Sequence, residues 1–230
     1  MKVGPRALIA IATILTLIFL RLGFWQIGRL HQRQALNAEL ASRAVGSPIE
    51  LSQLPTDTAK AHYRHVRIDG TYDYANEIYL TLRSREGSPG INIVTPIRFT
   101  GNDTALLLVR GWVYSPDGIT VDPAKWRERP SANGAGFVET YPPPRSGANQ
   151  SPTHPNAYRW LDRQTLERRF RYPLKPYYVV LTTPGDTMKS DPPRLGVPPM
   201  DEGPHRSYAI QWFSFAAISI IGTILFLRRK

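Results

Sequence analysis

Five histidines carry most of the ligand chemistry open to this chain: His31, His62, His65, His154 and His205. None has the close-spaced partners that a structural metal site needs. His62 and His65 come nearest, but no second pair accompanies them. The plain reading of each is a solvated surface residue. His205 differs in its position, just before Tyr208 at the mouth of a long apolar run. If a helix begins there, His205, Ala209 and Trp212 share one face. A neutral imidazole beside aromatic and apolar side chains is a setting in which a protein can ligate heme iron.

Other chemistries lack their residues. The chain has no G-x-S-x-G, no H-E-x-x-H and no phosphate-cradling loop. A Ser–Lys membrane peptidase would need a lysine beside the membrane on its outer side, and none stands there. The expectation is a protein that is not an enzyme. The absence of cysteine excludes disulfides, zinc thiolates and thiol catalysis.

The elements that must position His205 are apolar helices. Tyr208 to Leu227 is an uncharged run of 20 residues without proline, followed by Arg228, Arg229 and Lys230. A hydrocarbon core of ~30 Å takes about 20 residues of helix, and Tyr208 and Trp212 suit the headgroup level. A second apolar run begins at Ala7. It spans only if it continues to Ile27, which includes Arg21, close enough to the far end to snorkel. Arg21-Leu22-Gly23-Phe24-Trp25 offers no small-residue cleavage site, so an uncleaved anchor is expected rather than a signal peptide. Lys2, Arg6 and the three C-terminal basic residues place both termini in the cytoplasm. The net charge of +11 is partly theirs and leaves the middle mildly basic, suited to an anionic lipid surface or an acidic partner. No nucleic-acid motif accompanies the charge. The simplest home is a bacterial inner membrane.

Between the spans the periodicity changes. A helical pattern continues through Leu30, Leu36 and Leu40 to Gly46 and Pro48. Period-two or continuous apolar runs then predict strands over 63–72, 77–82, 90–99, 104–113, 134–141 and 177–183. The fourth is the most buried, and Pro96 marks an edge or bulge in the third. One short helix follows Asp162 as its cap, with Leu166 and Phe170 on a common face. The fold class expected is an α+β membrane protein: two transmembrane helices flanking a mainly β extracytoplasmic domain, a small barrel or sandwich, with one short helix. Its expected segments are a cytoplasmic N-terminus (1–6), transmembrane helix (7–27), membrane-proximal helix (28–47), β domain (48–183), proline-rich linker (184–204), transmembrane helix (205–227) and cytoplasmic C-terminus (228–230).

An ordered set of motifs runs along this frame. Leu22-Gly23-Phe24-Trp25-Gln26-Ile27-Gly28-Arg29 is followed by Pro48-Ile49-Glu50-Leu51-Ser52-Gln53-Leu54-Pro55, Tyr63-Arg64-His65-Val66 and Gly70-Thr71-Tyr72. Thr95-Pro96-Ile97, Val109-Arg110-Gly111-Trp112-Val113 and His205-Arg206-Ser207-Tyr208-Ala209-Ile210-Gln211-Trp212-Phe213 complete it. In this order and with two flanking spans the set resembles the Surfeit locus protein 1 family. The resemblance implies an assembly factor for heme-copper cytochrome c oxidase. It would bind heme a and assist its insertion into subunit I. The expected partners are subunit I with its assembly intermediates, heme A synthase and the lipid bilayer. The family's H-x-x-Y-A-x-x-W-F motif maps onto His205, implied in contact with heme iron, with Tyr208 and Trp212 as pocket walls. Gln26 and Arg29 have two readings: interfacial anchoring, or contact with a heme propionate or a facing side chain of the second span. Arg110-Gly111-Trp112 reads either as a strand in the core or as a surface for the oxidase. The alternative to heme chaperoning is a membrane-anchored scaffold that binds an oxidase subunit without a cofactor.

The topology is open to a direct measurement. A reporter active only outside the cytoplasm, fused after Lys230, is expected to give no signal; strong activity there would reverse the orientation.

Overall fold

The computed structural model describes residues 4–182 and 192–228. Lys2, Arg229, Lys230, the end of the last expected strand at Thr183 and the first part of the expected linker lie outside the described residues. The described residues divide into two units, 1–39 with 199–230, and 40–198.

Helix α1 (Pro5–Val45) is one continuous helix of 41 residues. At ~1.5 Å per residue it is about 60 Å long, twice a hydrocarbon core. Its first half is predominantly apolar, and the period-3.6 pattern after Gly28 belongs to the same helix. Next come β1 (Ile49–Glu50), α2 (Thr58–Ala61), β2 (His65–Tyr72), β3 (Ile78–Arg85), β4 (Ser88–Phe99), β5 (Asn102–Tyr114), β6 (Ser131–Thr140), β7 (Ala157–Tyr158), α3 (Arg163–Phe170), β8 (Tyr177–Thr182) and α4 (His205–Arg228). Among the described residues, α1 and α4 are the helices long and apolar enough to cross a membrane.

The strands decide between barrel and sandwich. Their order is β1-β2-β6-β8-β5-β4-β3-β7, and β2 also pairs with β4 through Thr71–Arg98 and Tyr72–Ile97. That extra pairing closes β2, β6, β8, β5 and β4 into a five-stranded barrel, which removes the free edges an open sheet would leave. β3 extends from β4 as a hairpin arm, and β1 and β7 add short parallel pairs.

The continuous apolar run of β5 follows from burial on both faces. Leu106 and Leu108 pack with Val66, Ile68, Val138 and Val179. Leu107 and Val109 face the other way, with Leu166 and Phe170 of α3. Asp162 caps α3 by accepting from the Thr165 amide at 2.7 Å, and Arg171 ends it in a left-handed conformation. Pro96 is not at a sheet edge. It falls where one flank of β4 passes from β3, last paired at Val94, to β2, first paired at Ile97. A missing N–H is tolerated at that switch.

Between Val94–Val109 and Ile93–Gly111 the β4–β5 register shifts, and Arg110 is the extra residue of the bulge. Its side chain is fully buried. The guanidinium donates to Glu77 at 2.8 Å, to Glu128 at 2.9 Å and to the Trp126 carbonyl. Tyr72 and Tyr74 stack on it, with its carbon centre 5.1 and 5.2 Å from their ring centres. Burial alone would lower its pKa, but the hydrogen bond and charge of Glu128 and the charge of Glu77 raise it on balance. Burial, with the charge of Glu128, pushes the Tyr72 phenol up to about 12.

Residues 192–195 form a strap against this bulge. The Trp112 amide donates to the Pro193 carbonyl at 2.9 Å. Arg194 donates to the Arg110 carbonyl at 2.8 Å and pairs with Glu128. A Cβ on Gly111 would run into the Pro193 carbonyl. The Arg-Gly-Trp motif is therefore a core strand in this unit: a buried cation, a gap for the strap and an amide that holds it. The oxidase-surface reading of Arg110 does not fit a side chain with no exposed area.

Two variants test this. Arg110→Met leaves Glu77 buried without its cation and is expected to cost about 3–5 kcal/mol in denaturant unfolding of the full chain. Gly111→Val is expected to cost about 1–3 kcal/mol by displacing the strap, and wild-type stability in either would show that the network is dispensable.

Candidate functional site

The apolar unit is built by side chains that let α1 and α4 approach. Gly23 faces Phe213 so closely that a Cβ there would come within 2.7 Å of the ring. Phe24 meets Phe213 edge-on, with ring centres 5.3 Å apart. Phe19 stacks on Trp212 at 5.9 Å and tilts against Phe215 at 5.6 Å. Thr16 Oγ1 lies 2.9 Å from Ser219 Oγ, whose hydroxyl donates to the Ala12 carbonyl at 3.2 Å. Ala209 and Ala216 are the buried small residues of α4. His205, Ala209, Trp212, Ala216 and Ser219 thus follow one face of that helix.

His205 is the first residue of α4. Its Nδ1 lies 2.8 Å from Oε1 of Gln26, which is buried. The facing partner expected for Gln26 is therefore the histidine itself. Arg29 is one turn further along α1 and exposed, and it donates to Gln32 at 3.0 Å. His205 and Arg29 line one cleft of about 340 Å³ together with Gln32, Arg33, Leu36, Asp201, Glu202 and Gly203.

The segment before α4 is clamped to α1. The Asp201 carbonyl accepts from Arg33 Nε at 3.0 Å and from Asn37 Nδ2 at 3.1 Å, and Gln34 donates to Glu202 at 3.0 Å. The Asp201 carboxylate accepts from the Gly203 amide at 2.8 Å, in a turn where Gly203 has a φ of +72°. That left-handed backbone is open to glycine and strained for most other residues.

Of the five residues singled out from the sequence, the structure brings His205, Gln26 and Arg29 together. Tyr208 and Trp212 do not line the cleft. Tyr208 is exposed, and Trp212, on the same face as His205 but two turns further along α4, is engaged by the Phe19 ring. Arg33, Asp201 and Gly203 were missed. Gln26, Arg29 and Arg33 recur at helical spacing, which is a readable signal. The clamp on Asp201 joins residues more than 160 apart and has no local one.

The other histidines have ordinary partners. His62 pairs with Glu139 at 2.7 Å, His65 with the Gly46 carbonyl at 2.9 Å, and His154 with Thr153 at 2.9 Å. His31 is exposed. Among the described residues, no three His, Cys, Asp or Glu side chains converge as a metal site.

Known proteins share this arrangement of sequence. The profile of the SURF1 family matches residues 13–217. A SURF1-like protein of Monosiga brevicollis is 29% identical over 91% of this chain and 83% of its own length. A SURF1-like protein of Rickettsia felis is 25% identical over 93% of both. Human Surfeit locus protein 1 is 32% identical over 40% of this chain, a segment that spans 36% of the human protein. The profile takes in most of α1, the barrel and the first half of α4, and the chain belongs to the SURF1 family.

Proposed function

We propose that this protein is a heme-copper cytochrome c oxidase assembly factor that binds heme a and assists its insertion into subunit I. The observation that carries the reading is the cleft of about 340 Å³ lined by the His205 imidazole and by Arg29 and Arg33, with Asp201 and Glu202 also on its wall. An imidazole nitrogen is an axial ligand for heme iron. Arg29, one helical turn from the residue that holds His205, offers a cation of the kind that pairs with a propionate carboxylate. His205 would hold the iron of such a ligand, and Arg29 and Arg33 would meet its carboxylates. When bound, heme a would be cargo awaiting transfer, and no residue of this chain is asked to break or form a covalent bond. The protein is accordingly not an enzyme in this reading.

In the same proposal α1 and α4 cross a bacterial inner membrane with both termini cytoplasmic and the barrel outside. Lysine and arginine flanking the apolar runs support that orientation. Oxidase subunit I, its assembly intermediates and heme A synthase are the partners it would meet there.

The second reading is an anchored scaffold without cofactor. It draws on Leu82, at the irregularity within β3, and Tyr114, the last residue of β5, both 61% exposed on strands that flank β4. Leu82 is held at a φ of +56°, where a leucine seldom sits. Such side chains suit contact with a protein partner.

Purification from cells that make heme A separates the two. The full chain is expected to carry a heme absorption band that His205→Ala abolishes while membrane insertion stays normal, since alanine keeps the helix. An unchanged band in the variant would place the ligand elsewhere. A colourless wild type that still co-purifies with subunit I would favour the scaffold.

A further inference from the structure

A neutral imidazole has two forms, and only the nitrogen without a proton can ligate a metal or accept a hydrogen bond. Which nitrogen is free depends on what the other one touches. In this chain the Nδ1 of His205 faces an oxygen, Oε1 of Gln26, at 2.8 Å. An amide oxygen accepts and never donates, so the proton of this contact belongs to Nδ1. Gln26 is 8% exposed, so its amide has little water to turn to, and losing this contact would leave a buried acceptor unpaired.

The other edge of the ring lies toward Gly203, which lines the same cleft. Among the described residues, Nε2 takes part in no hydrogen bond. A Cβ at Gly203 would stand 3.5 Å from Cδ2 and 3.6 Å from Nε2. A longer side chain at 203 would therefore crowd that edge, and the φ of +72° disfavours any residue but glycine. Gly203 is itself kept in place by Asp201, whose backbone carbonyl is tied to Arg33 and Asn37.

We propose that Gln26 is a positioning residue: it holds His205 as the Nδ1–H tautomer so that an unprotonated Nε2 is presented to the cleft, with Gly203 keeping that edge open. Metal-ligating histidines generally donate their second N–H to a neighbouring acceptor, which orients the ring and makes the ligand nitrogen more basic. Gln26 supplies that acceptor from a different helix, so the preference for this tautomer and the orientation of the ring depend on the pairing of α1 and α4. The use of the tautomer for heme rests on the function proposed above; the tautomer itself does not.

Two measurements test it on the full-length chain. In heme-free protein labelled with ¹⁵N-histidine, with His205 assigned by its loss in His205→Ala, the one-bond proton coupling is expected on Nδ1 and absent from Nε2. Gln26→Leu is expected to release this preference and to weaken heme a binding by about 10- to 100-fold. Gln26→Glu keeps an acceptor oxygen, so it is expected to retain the tautomer and bind heme a with a lower midpoint potential. A proton on Nε2 in the wild type overturns the proposal, as does a Gln26→Leu variant with unchanged tautomer and affinity. The stated tautomer in a protein that binds no heme a would sustain the role of Gln26 and remove the heme reading instead.

Discussion

A guanidinium fully out of water is stable only if every charge and N–H it carries is met, and the barrel is organised to meet those of Arg110. Glu77 comes from just before β3, Glu128 and the Trp126 carbonyl from the segment before β6, and Arg110 from the bulge of β5. Thr95 of β4 donates to the same Glu77 oxygen at 2.6 Å. Arg194 then adds the strap to the Glu128 carboxylate. Elements far apart in sequence are thus tied to one ion-pair network. Removing a single partner strands the rest, which gives the network its influence over the barrel's end.

The apolar unit uses a different device. Its helices are apolar all round, so burying leucine against leucine does not by itself say which faces meet. Close approach at Gly23, stacked rings around Phe19 and the Thr16–Ser219 hydroxyl pair specify how α1 meets α4. The His205–Gln26 contact extends this series to the polar end of the same interface. A histidine placed there inherits its geometry from helix packing rather than from a loop.

These two devices explain why the sequence was easier to read in one unit than in the other. The strands over 63–72, 90–99 and 104–113 were legible from period-two patterning and from the apolar run of β5, because burial in a sheet writes itself into neighbouring residues. The cap at Asp162 and the buried pair Leu166 and Phe170 were local signals too. The bulge at Arg110 was not, since one extra residue leaves alternation looking ordinary until the partner strand is known. Nor was the closure of the sheet, which depends on the small pairing of Thr71 and Tyr72 with Arg98 and Ile97.

For the candidate site, residue types and spacing alone determined that His205 begins an apolar helix and that Gln26 and Arg29 end the apolar half of another. The family motifs pointed to the same residues. Tertiary structure decided which of them meet. It paired Gln26 with His205, set Gly203 against the ring edge, left Tyr208 exposed outside the cleft, and packed Trp212 on Phe19 two turns further along α4. The reason is range: helix periodicity places a side chain on a face of its own helix, within a few residues. Which atom of a second helix, 179 residues away, fills the space opposite is set only when the two faces pack.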